Sequence, residues 1–150
     1  MIRLSLRLGK PLVLHVRDAY PDAFRILEEE GGGRFGGVVH CFQGDETAAL
    51  KARELGFMLG LGGVITYWGA KKRDVIKSIP LEAMLLETDA PWLCPAPWRG
   101  RRNDSSYLKI VVDTIAALKG LTTQEVVRVT TDNARRTFPG LDAAGAKSGG

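Results

Sequence analysis

Apolar residues fall along this chain in short unbroken runs. The longer stretches between the runs carry apolar residues every third or fourth position. The runs cover residues 11–16, 35–40, 57–61 and 84–86, and the last leads directly into Glu87-Thr88-Asp89. A run that is apolar throughout predicts a strand buried on both faces, the kind found in parallel sheets. The intervening stretches predict helices. Pro21 suits a first helical turn, and the helix should continue over residues 23–30 to a stop at Gly31. Asp45 is placed to cap a helix that runs through Leu55 and halts at Gly56. A short polar helix is expected over residues 71–78, and two more over residues 106–119 and 123–131. Thr122 and Glu125 have the spacing of a capping box. The opening is ambiguous. Ile2, Leu4, Leu6 and Leu8 alternate like a strand, but Gly9-Lys10-Pro11 resembles the end of a helix, so the chain is expected to begin within a helix. Strands alternating with helices predict an α/β fold of four βα units around a parallel sheet. Residues 1–140 should form one domain. Residues 141–150, rich in Ala, Gly and Ser, should be a disordered tail.

Composition narrows the class. The 150 residues are 45% hydrophobic and 25% charged, ordinary values for one globular domain. No apolar run reaches the ~18 residues of a membrane helix, so no membrane partner is expected. The amino terminus lacks the continuous apolar stretch of a secretory signal. Cys41 and Cys94 are expected to be reduced thiols in a cytoplasmic protein. The net charge of +4 is a mild excess. Its clusters, Lys71-Lys72-Arg73 and Arg99 with Arg101 and Arg102, gain meaning only beside a reactive centre.

The chain has two histidines. His15 and His40 both fall at or near the carboxyl end of an expected strand, and Asp89 falls just past another. In parallel α/β folds the carboxyl ends of the strands form the reactive face. Three such side chains would converge there. Two imidazoles and a carboxylate suit Zn, Mn or Fe, whereas Mg prefers oxygen ligands. The competing structural reading is a pair of buried, hydrogen-bonded histidines and a helix-capping aspartate.

Local motifs add to this. Pro11-Leu12-Val13-Leu14-His15-Val16-Arg17, His40-Cys41-Phe42-Gln43-Gly44 and Leu86-Glu87-Thr88-Asp89-Ala90-Pro91 are followed by Arg99-Gly100-Arg101-Arg102-Asn103 and by Asn133 through Phe138. In order and spacing they resemble the HxR, HCFxG, ETDxP, RGxRN and NxxxxF elements of the TatD family of metal-dependent hydrolases, within the amidohydrolase superfamily. The resemblance covers about residues 3–140. It implies a TIM-type (β/α)8 barrel, represented here by a partial barrel of its last four βα units. It implies His15, His40 and Asp89 as metal ligands, Asp89 also as catalytic proton acceptor, and Glu87 as the group orienting a ligand or a water. It further implies a divalent cation (Mg, Mn or Zn, two of them in an intact barrel) that activates water against a phosphodiester. Single-stranded DNA or DNA 3′ ends would be the substrate, bound by Arg17, Arg99, Arg101, Arg102 and Asn103, with the arginines neutralising phosphate charge.

The chain departs from the family pattern in two respects. Asp104-Ser105 stands where the family has Glu-Pro. The family's His-x-His pair and bridging glutamate have no counterpart, and a whole barrel takes about 250 residues. A deoxyribonuclease truncated to its carboxy-terminal half is therefore expected, able to self-associate through exposed sheet edges. An aminoacyl-tRNA ester hydrolase and an inactive metal-binding remnant are the alternatives. Trp92 should pack into core or loop, while Trp68 and Trp98 are as fit for stacking on bases as for packing.

Overall fold

The four apolar runs become the four strands of one sheet in the computed structural model, which describes residues 1–140. The disorder expected for residues 141–150 lies outside the described residues. The strands are β1 (Leu12–His15), β2 (Gly37–His40), β3 (Phe57–Leu61) and β4 (Met84–Leu86). They lie in the order β1-β2-β3-β4, and every neighbouring pair is parallel. Helices fill the connections: α1 (Ile2–Leu8), α2 (Tyr20–Glu29), α3 (Glu46–Glu54), α4 (Ala70–Ser78), α5 (Leu108–Lys119) and α6 (Thr123–Thr137). The chain thus opens in a helix rather than a strand. The cap signals act as expected. Asp45 accepts a bond from the Ala48 N–H at 2.8 Å, and Thr122 accepts one from the Glu125 N–H at 3.2 Å.

Side chains alternate across each strand, so the two faces of the sheet differ. One face carries Leu12, Val39, Phe57, Leu59, Leu61 and Met84, all buried in the core with Phe24, Leu27, Ile76, Val111, Ile115 and Val126 of the helices. The strand register places Val13, Val38, Met58 and Leu85 on the other face, and one step further along it His15, His40 and Glu87. Val13, on the edge strand β1, is 62% exposed. On this second face Val38 and Leu85 are buried, at 5% exposure each, so the double burial read from sequence holds within the sheet and fails at its β1 edge.

Two boundaries differ from expectation. β2 starts at Gly37, two residues late, because Gly36 and Gly37 both adopt positive φ. At Gly37 a Cβ would lie 1.9 Å from the Leu12 carbonyl oxygen, so only glycine lets the two strands meet. α6 runs to Thr137 and not to residue 131. Apolar periodicity ends near Val129, but the fully buried Asn133 replaces it with hydrogen bonds. Its amide donates to the Leu81 and Met84 carbonyls at 2.9 and 2.8 Å and accepts from the Arg136 guanidinium. The motif asparagine thereby fastens the last helix to the entrance of β4.

Asn133→Ala would take the amide donor from two buried carbonyls and leave that of Leu81 with the Met84 N–H alone. Urea unfolding should show a loss of about 2–3 kcal/mol. Loss within a few tenths of wild type would show that the helix is held by its apolar contacts alone.

Candidate metal centre and cleft

His15 ends β1, His40 ends β2 and Asp89 follows β4, so parallel pairing delivers all three to one end of the sheet. The His15 and His40 ring centres are 5.9 Å apart, and His40 Nε2 lies 3.0 Å from Asp89 Oδ1. Glu87 reaches His40 from the other side. Its Oε2 is 2.9 Å from His40 Nδ1, and its Oε1 accepts the Cys41 N–H at 2.5 Å.

The electrostatics follow from these contacts. A carboxylate can only accept, so Nδ1 carries the proton in the bond to Glu87. A neutral ring would then turn a lone pair at Nε2 toward a second carboxylate, Asp89. Two acceptors at 3.0 Å need a cation shared between them, either a proton or a metal ion. The surroundings of His40 favour the proton form. Burial pulls the imidazole pKa down, but hydrogen bonding and charge from Glu87, with the charge of Asp89, outweigh burial and raise it above the ordinary value. Burial, and then the same two carboxylates, push the neighbouring Cys41 thiol up to about 11, so it is a neutral group here. Cys41 and Cys94 are both free and buried.

Among the described residues no group of three His, Cys, Asp or Glu side chains already stands in ligand geometry. The donor set nevertheless fits a divalent ion. It offers imidazole and carboxylate donors at one point, with a carboxylate behind the imidazole fixing its orientation, as metal-ligating histidines usually have. His15, His40 and Asp89 are the residues that would hold the ion.

These groups open into a cleft of about 1120 Å³. Arg17, Lys72, Arg99, Arg101 and Arg102 line it, against only two acidic side chains, Asp18 and Asp89. Much of the chain's modest positive excess is therefore focused on one concavity. Arg99 lies 4.6 Å over the Tyr67 ring and Arg101 lies 4.9 Å over Trp98, so aromatic faces hold two of the guanidinium groups. The cleft also gathers backbone strain. The non-glycine residues with positive φ among the described residues are Asp18, Cys41, Asp89 and Leu93, and all four line it.

Some expected roles change. Asn103 does not line the cleft. It is 2% exposed, and its amide donates to the Thr88 and Trp92 carbonyls at 2.6 and 2.7 Å. It is a brace for the loop that carries Asp89, not a substrate contact, because its donors are spent inward. Trp92, expected to pack, is 71% exposed at the cleft: its main chain is tied down, the N–H donating to the Asp89 carbonyl at 2.8 Å and the carbonyl accepting from Asn103, while its ring is left in the open. Trp68 is buried, with the Lys72 ammonium over its ring. Trp98 is partly exposed. Lys72, Tyr20, Gln43 and Tyr67 also line the cleft. Only Lys72 had a sequence signal, as one of a basic cluster; the Tyr20 hydroxyl, which accepts the Gln43 N–H at 2.9 Å, had none.

Comparison with known proteins finds relatives of this chain. The family described as "TatD related DNase" matches residues 1–139. A Bacillus subtilis protein named "Uncharacterized metal-dependent hydrolase YabD" is 44% identical over 138 residues, which are 91% of this chain and 54% of that protein. The Klebsiella pneumoniae "3'-5' ssDNA/RNA exonuclease TatD" is 33% identical over 96% of this chain and 57% of its own length. Among solved structures, the TatD homolog YJJV from Escherichia coli superposes with a TM-score of 0.85 at 33% identity, over 91% of this chain and 53% of that one. The chain thus spans about half the length of the relatives it matches.

The raised His40 pKa has a consequence for stability. The protonated ring, paired with two carboxylates, stabilises the metal-free fold fully below the unfolded imidazole value of ~6.5, and that contribution is lost as pH rises through the higher folded value. Thermal melts of metal-free protein should show this decline across neutral pH. The decline should vanish in a Glu87→Gln, Asp89→Asn variant. An unchanged slope in that variant would place its origin elsewhere.

Proposed function

The chain belongs to the TatD-related DNase family, and from that premise we propose that it carries the metal-binding and anion-binding side of a phosphodiester hydrolase acting on nucleic acid. One observation carries the reading. The candidate ligands His15, His40 and Asp89 share a single cleft with five cationic side chains. A divalent ion bound there would acidify water and polarise a phosphoryl oxygen. The chain's own residues would do the rest. Asp89, whose other neighbour is an imidazole, is placed to take a proton. Arg17, Arg99, Arg101 and Arg102 neutralise the phosphates on either side of the scissile bond. Exposed Trp92 and partly exposed Trp98 offer faces on which unpaired bases can stack. The wide, open cleft suits a single strand or a 3′ end.

The finer reading is that these four βα units correspond to the carboxy-terminal half of a (β/α)8 barrel. The four parallel strands, the exposed Val13 and the half-length match to relatives support it. Both histidines of the chain are already used at the site, so further ligands would have to come from other strands. In that case β1 and β4 present unpaired edges, and the chain should self-associate or pair with the strands that complete the barrel.

Calorimetric titration with Mn should detect one weak site that disappears in a His15→Ala, His40→Ala variant. Undiminished binding in that variant would remove the site assignment. The nuclease reading has its own test. The 150-residue chain alone should cleave single-stranded DNA poorly. Supplying the remaining strands as a fused amino-terminal half should bring cleavage that is blocked by chelator and by Asp89→Ala. A completed barrel that binds Mn yet leaves DNA intact would point instead to another ester, such as that of aminoacyl-tRNA.

A further inference from the structure

Glu87 and His40 are not on neighbouring strands. Glu87 follows β4 and His40 ends β2, and β3 lies between them. To hold the His40 Nδ1 and the Cys41 N–H, the Glu87 carboxylate has to cross over β3. It crosses at Gly60. A Cβ built there would stand 2.5 Å from Glu87 Oε2, 2.8 Å from its Cδ and 3.1 Å from Oε1. The register puts Gly60 beside Leu85, on the face that carries Glu87 and His40. Gly62 offers a second, looser gap, with a built Cβ 3.2 Å from the Glu87 carbonyl oxygen.

Backbone conformation does not explain this glycine. Its φ lies outside the left-handed region, so an L side chain would fit its backbone without strain. Helix packing does not explain it either, since the crowding atoms belong to one carboxylate. What remains is space for that carboxylate. We propose that Gly60 is a positioning residue, whose missing side chain forms the slot through which Glu87 reaches across β3 to fix the His40 ring. With Nδ1–H held by Glu87, Nε2 faces Asp89 and the cleft. A methyl group in the slot meets the far end of a flexible side chain, so Glu87 can swing away and the strand itself need not move. The damage falls on orientation of the imidazole rather than on the core.

The test compares Gly60→Ala, Glu87→Ala and the double variant by three readouts. Imidazole nitrogen NMR of the metal-free protein, at a pH where His40 is neutral, reports its tautomer. Gly60→Ala should shift His40 from the Nδ1–H form toward the Nε2–H form, as Glu87→Ala does. Mn titration, which rests on the metal reading above, should show a loss of about tenfold or more in either single variant. The double variant should be no worse than Glu87→Ala, because the vacated space admits the methyl. Thermal melting guards against a trivial result. If Gly60→Ala fails to fold while the double variant folds, the clash with Glu87 is confirmed directly. The proposal is overturned if His40 keeps its tautomer in Gly60→Ala, if the two substitutions add, or if the double variant also fails to fold. Absence of Mn binding in the unaltered chain would remove the metal reading and leave the tautomer result to decide this one.

Discussion

A single carboxylate, Glu87, organises the carboxyl end of this sheet. It ties the end of β4 to the end of β2, fixes one nitrogen of His40, and pins the backbone at Cys41 just where that residue turns left-handed. Parallel strands by themselves bring His15, His40 and Asp89 to the same edge. They do not decide which way an imidazole turns. Without Glu87 the His40 ring would be free to rotate, and the short approach of Nε2 to Asp89 would have no reason to persist. The two carboxylates that flank His40 also offset part of the positive charge of a cleft otherwise lined by arginine and lysine.

Around that clamp lies a frame of buried amides. Asn103 braces the loop from Thr88 to Trp92, and Asn133 holds the start of β4 from the far side of the sheet. Each spends its donors on two main-chain carbonyls. β4 is only three residues long, and its pairing with β3 extends as far as the Glu87 N–H, which donates to the Leu61 carbonyl at 3.1 Å, two residues short of Asp89. The two asparagines supply from outside the rigidity that a longer strand would have given from within. Buried bonds of this kind contribute modestly when made but cost heavily when broken, which favours one fixed loop conformation over several.

Most of the architecture was legible in the residue pattern, and the failures have physical causes. The strands were read within one or two residues because apolar runs leave little choice. α6 was cut short because periodicity detects apolar burial and cannot see a helix anchored by a hydrogen-bonded asparagine. The convergence of His15, His40 and Asp89 was legible because parallel strands carry their carboxyl ends to one edge of the sheet. Asn103 was misread as a substrate contact because a motif position does not say which way an amide turns. Trp92 was misread in the opposite sense, since size and hydrophobicity argued for packing while the loop geometry turns it outward. Tyr20 and Tyr67 carried no signal at all, as their place in the cleft depends on how separate βα loops come together.

The four left-handed residues around the cleft bear on how such a chain can change over time. Asp18, Cys41, Asp89 and Leu93 each hold a backbone conformation that costs an ordinary side chain on the order of 1 kcal/mol. Glycine would relieve the strain at any of them, and at Asp89 it would do so by erasing a candidate ligand. Selection for stability and selection for the site therefore pull in opposite directions at the same positions. In a lineage released from its chemistry these residues should drift toward glycine or asparagine ahead of the core.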